Sequence, residues 1–147
     1  MIKTRNLATL IAGLLMAAGA LAQSSPVGLW KSIDDGNGKP KALIRISDSN
    51  GELKGKIEKI FPSTEEKNPN CDKCEGANKD QPILGMTIIN GMRAEGTEFS
   101  GGTILDPNNG KVYKSKMTLS DEGKKLNVRG YIGMPMLGRT QVWLREE

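Results

Sequence analysis

Leu126–Arg145 reads LNVRGYIGMPMLGRTQVWLR, and it decides how the chain must close. Two segments of β character, Leu126–Ile132 and Thr140–Leu144, flank a Gly/Pro link, Gly133-Met134-Pro135-Met136-Leu137-Gly138. The second segment lies at the end of the sequence, so its partner has to be a strand made earlier. The first β segment, around Gly28-Leu29-Trp30, is the natural one. A sheet whose last strand returns to its first becomes a barrel and leaves no unpaired edge.

The same pattern runs backwards through the chain. Ala42, Ile44 and Ile46 fall on one face at a period of two, and Leu53, Gly55, Ile57 and Lys59 alternate again after Ser49-Asn50-Gly51. Period-two alternation on either side of Asn-Gly is the signature of a hairpin. Asp106-Pro107-Asn108-Asn109-Gly110 separates Glu98–Leu105 from Lys111–Leu119, and Ser120–Lys124 turns into Leu126. Gly101-Gly102 interrupts a strand, which marks a bulge or a close backbone approach, as at a barrel corner. Beyond Ala22, no stretch of helical length carries apolar residues at helical spacing. About eight short strands with Asn/Asp/Gly turns predict an all-β, antiparallel up-and-down barrel.

Before the barrel, Lys3 and Arg5 precede an apolar run, Leu7–Ala22, that ends Ala20-Leu21-Ala22. Charged start, apolar middle and small residues at the end form a secretory signal, and the run falls short of the ~20 apolar residues of a bilayer span. The expected organisation is a signal peptide at 1–22 and one domain at 23–147, exported to the periplasm. Of 21 basic residues against 17 acidic, Lys3 and Arg5 leave with the signal, so the net charge falls from +4 to +2. The remaining basic residues are scattered, which argues against nucleic acid as a partner.

Catalysis has little to stand on. The chain holds no His, which removes the commonest general base and the Ser-His-Asp arrangement. Its carboxylates sit mostly in turns, and no phosphate-binding glycine loop opens a helix. The expectation is a binding protein without a cofactor, and not an enzyme. Cys71-Asp72-Lys73-Cys74 has three readings: a structural disulfide, a redox pair or half a metal site. An oxidising compartment favours the first. A redox pair normally opens a helix, and zinc wants four ligands, so no metal is expected. Ile44, Ile46, Ile57, Tyr113, Met117, Tyr131, Met134 and Met136 could line a cavity for a small apolar or amphipathic molecule, or could simply fill the barrel. The long loop Phe61–Pro82 supports an alternative, an envelope module that docks a protein partner.

Several pieces occur together in one known family. Gly28-x-Trp30, Cys71-x-x-Cys74, Pro82-Ile83-x-Gly85, Gly101-Gly102-Thr103-Ile104-Leu105-Asp106-Pro107, Leu126-x-Val128-Arg129-Gly130-Tyr131-Ile132-Gly133 and Gly138-Arg139-Thr140-Gln141-x-Trp143 appear in this order. In these the chain resembles a family of exported bacterial proteins known only as a domain of unknown function. The resemblance spans essentially all of the chain after residue 22 and implies a lipocalin-like (calycin) barrel, but no reaction. Such barrels share a Gly-x-Trp on the first strand and an Arg near the last, roles that fall to Trp30 and Arg139. A guanidinium over an indole face would plug one barrel end. Arg145 competes with Arg139, since both lie on the same side of the last strand.

The signal reading predicts that protein purified from its host begins near Gln23. Intact-mass measurement checks it, and an uncleaved chain in the membrane fraction would refute it.

Overall fold

The computed structural model describes Gly13 and residues 25–61 and 68–147; the signal expected at 1–22 lies outside the described residues apart from Gly13. Alternation and turn chemistry produce eight strands: β1 Gly28–Ile33, β2 Pro40–Ser49, β3 Glu52–Ile60, β4 Thr87–Glu95, β5 Glu98–Asp106, β6 Lys111–Ser120, β7 Lys125–Tyr131 and β8 Arg139–Arg145. Each pairs antiparallel with its neighbours in chain order, and β8 returns to β1 to close the barrel. The only helical pieces among the described residues are two short 3-10 turns, Gly76–Asn78 and Pro135–Leu137. No helix among them is long and apolar enough to cross a membrane.

Bulges set the curvature, and one of them corrects the alternation expected for β3. Ile44 faces Ile57 while Leu43 faces Lys59, so Glu58 is the extra residue. That insertion turns Lys59 outward and brings Ile60 against the core. Gly101-Gly102 does both things its sequence allows. Gly101 takes φ +80° where the β5–β6 register shifts. At Gly102 a Cβ would collide with the Asn90 carbonyl and come within 2.6 Å of the Met92 amide, so two strands cross there closer than any side chain permits.

The two barrel ends differ. The β2–β3, β4–β5 and β6–β7 turns share one end with both the lead-in to β1 and the residues after β8. There the interior is solid: Trp30, Ile46, Leu53, Ile89, Met92, Met117 and Leu126 are at most 3 % exposed. Across the seam Trp30 faces Arg145, and the Arg145 guanidinium lies 4.2 Å from the indole centroid. Its nitrogens donate to the carbonyls of Gly123 at 2.7 Å, Val27 at 3.0 Å and Ser25 at 2.7 Å. The indole N–H donates to the Pro26 carbonyl at 2.7 Å. Burial pulls the Arg145 pKa down, yet an arginine starts so high that it stays a cation.

Arg145, then, and not Arg139, is the partner of Trp30. The reason is distance along the strand. Arg139 shares its side of β8 with Arg145, but six residues at about 3.3 Å each put it roughly 20 Å away at the other end. There it pairs with Asp35 at 3.5 Å in an exposed position. Gly28 completes the clasp, because a Cβ at that residue would lie 2.8 Å from the Arg145 guanidinium.

Arg145→Ala should cost about 1–3 kcal/mol through the lost cation–π contact and unpaired carbonyls. Arg139→Ala, which removes only an exposed ion pair, should stay within about 0.5 kcal/mol. Urea unfolding of both variants checks the assignment, and equal losses would reverse it.

Candidate functional site: a funnel at the open end

The β1–β2, β3–β4, β5–β6 and β7–β8 loops gather at the opposite end, and a cavity of about 1190 Å³ opens between them. The floor is formed by Ile44, Ile57, Val128 and Trp143, all at most 4 % exposed, so the free volume occupies the upper half of the barrel. Above the floor the wall carries Ile60, Ile104 and Tyr113. The rim is polar and mixed in charge, with Lys39, Lys41 and Arg139 against Asp34 and Asp106.

Each part of the rim has a local cause. Asp34 folds the β1–β2 loop by accepting the Gly36 amide at 2.7 Å. Asn37 does the same for Lys39 at 2.8 Å. Asp106 accepts the Asn108 amide at 2.9 Å, and Asn109 donates to the Tyr113 hydroxyl at 2.9 Å. The first three are the Asx turns that such residues form, and Asn109 adds another by accepting the Lys111 amide at 2.8 Å. Gly130 keeps the β7 side open, for a Cβ there would reach Tyr113 at 3.4 Å. On the floor, the Trp143 N–H donates to Gln141 at 3.3 Å.

The cysteines form a disulfide, Cys71–Cys74, with Cα atoms 5.3 Å apart. Their loop is a small hairpin of its own: Asn70 bridges Pro82, and the Cys71 amide donates to the Gln81 carbonyl at 2.8 Å. Both cysteines are buried, and Cys71 Sγ lies 3.6 Å from the Pro107 carbonyl. Gly110 is pressed so hard against this loop that a Cβ would collide with the Lys73 carbonyl. The disulfide loop therefore straps down the β5–β6 turn beside the mouth. No sequence signal announced that contact beyond Gly110 itself, which reads as an ordinary turn glycine.

The eight residues singled out as cavity candidates separate into three groups. Ile44, Ile57, Tyr113 and Tyr131 line the funnel. Ile46 and Met117 are 1 % and 0 % exposed and do not line the funnel: Ile46 sits one inward step nearer the closed end than Ile44, and Met117 is packed at the level of the floor, in register with Val128. Met134 and Met136 do not face the cavity; they stand 56 % and 73 % exposed on the β7–β8 loop. The site residues that sequence reasoning missed are Trp143, Ile104 and the rim lysines. Trp143 had a usable signal, being the large apolar residue on the inward side of the last strand. Among the described residues no cluster of acidic, Cys or His side chains could hold a metal ion.

Comparison with known proteins gives two findings. Residues 28–145 match the family described as "Uncharacterized protein conserved in bacteria (DUF2147)". Among solved structures, the chain is similar to a protein titled "Protein HP1028 from the human pathogen Helicobacter pylori belongs to the lipocalin family". The TM-score is 0.71 at 14% identity over 84% of each chain. At that identity the likeness speaks for the fold alone. No curated protein matches the chain. The chain belongs to the bacterial DUF2147 family, and its eight strands form a lipocalin-like barrel.

Proposed function

We propose that the protein is an exported, non-catalytic carrier or sensor that holds a small amphipathic molecule in the funnel, apolar end down. The observation that carries this reading is the gradient along the cavity. Ile44, Ile57, Val128 and Trp143 make an apolar floor, and Lys39, Lys41, Arg139, Asp34 and Asp106 make a charged rim. Pockets of this kind take an apolar body and orient it through a few polar groups. The signal-like run at 1–22 and the disulfide support an exported protein, since cysteine pairs persist in oxidising compartments. Tyr113 suits the middle of the funnel, with an apolar ring and a polar tip.

The reading as a protein-docking module receives no such support. The described part of the Phe61–Pro82 loop exposes mainly polar residues, and its cysteines are turned inward onto the barrel.

The test uses a dibrominated stearate, whose bromines quench indole fluorescence on contact. It should quench the protein saturably, and Trp143→Phe should remove most of the effect because Trp30 is sealed off at the other end. Gly130→Leu, which places a side chain in the funnel, should weaken binding by about tenfold or more if an apolar chain fills that space. Absence of quenching, or equal quenching in Gly130→Leu, would eliminate the carrier reading.

A further inference from the structure

Among the described residues, eight large apolar side chains stand well exposed, and four of them fall within one six-residue stretch of the β7–β8 loop. Ile132, Met134, Met136 and Leu137 are 62 %, 56 %, 73 % and 73 % exposed. They are held out by structure. The Leu137 amide donates to the Met134 carbonyl at 3.0 Å, and the Gly138 amide to the Pro135 carbonyl at 3.3 Å. Arg129 reaches from β7 to clamp the turn, donating to the Pro135 carbonyl at 2.7 Å and to Thr140 at 2.8 Å. Gly138 seats it against β7, where a Cβ would meet Tyr131 at 2.8 Å. A fixed apolar prow in water is costly unless something covers it.

Cations surround this prow. Lys114 is in register with Tyr131, and Lys116 with Arg129, so three basic residues share the outer wall just below it. Lys39 and Lys41 lie across the same mouth as Leu137. Glu98 partners Lys116 at 3.9 Å and Asp35 partners Arg139. Among the described residues no carboxylate stands within ion-pair distance of Lys39, Lys41, Lys114 or Arg129.

We propose that the Ile132–Leu137 turn inserts into the surface of an anionic lipid bilayer, with Lys39, Lys41, Lys114 and Arg129 meeting the headgroups, so that the funnel mouth faces the membrane. Apolar side chains at the tip with basic residues behind them match the two layers of an interface, acyl boundary and phosphate. A second copy of the chain is a poorer occupant. Four side chains on a narrow turn fall well short of the roughly 800 Å² per partner that a stable protein interface buries. The proposal goes beyond ligand carriage, because docking needs the turn and the cations whether or not the funnel is filled.

Flotation with phosphatidylglycerol-containing vesicles and with pure phosphatidylcholine vesicles tests it on the full mature chain. Wild type should float with the anionic vesicles, less so as salt rises through screening, and should stay behind with the neutral ones. The double variant Met136→Asp, Leu137→Asp alters only exposed side chains. It should lose about tenfold or more in binding while its urea midpoint stays put. Lys39→Glu with Lys114→Glu should weaken binding with the turn intact. No flotation at low salt, or undiminished flotation of the double-aspartate variant, would overturn the proposal. So would a concentration-dependent dimer that the double-aspartate substitution abolishes.

Discussion

The barrel depends on the seam between its first and last strands. Only Trp30 and Lys31 are in register there, with Arg145 and Leu144, and backbone bonds between Leu29 and residues 146–147 extend the pairing a little. So short a ladder would be a weak edge. Arg145 compensates by acting in several ways at once. Its ring-facing charge covers Trp30, and its nitrogens gather three carbonyls that the closing of the barrel would otherwise leave without partners. A guanidinium suits this better than an ammonium would, because its planar fork can stack and donate at the same time. With one end sealed in this way, the other can stay open.

Half of the interior is therefore structural and half available. The packed half, built around Trp30, Met92, Met117 and Leu126, supplies the burial that holds the strands together. The upper half, freed from that task, can carry space, rim charges and glycines that contribute little to the core. This division also explains the placement of the disulfide. It lies at the open end, where the barrel has least core of its own, and ties the longest loop to the β5–β6 turn.

Much of this fold was legible in the residues. Asn50-Gly51 takes positive φ at both positions, as a tight hairpin demands, and β2 alternates as its sequence does. Features that depend on a partner strand were not legible. Glu58 is a bulge only because of how β2 lies beside it, so Lys59 could not be read as outward. Arg139 and Arg145 have the same parity, and only the register with Trp30 separates them. Methionine misled for a physical reason: its flexible, polarizable chain serves a core at Met117 and an exposed turn at Met136 equally well. The apolar floor was half visible, through Ile44 and Ile57, whereas the rim lysines carried no pattern at all.

Closing the seam also orders events in time. The bond from Arg145 to the Val27 carbonyl joins residues 118 apart in sequence, and the strands between them pair only with sequence neighbours. Hairpins such as β2–β3 and β6–β7 can form early from local contacts, whereas the clasp pays its loop-closure entropy in a single late step. Until Arg145 has been synthesised, β1 has only one neighbour and the barrel remains an open sheet.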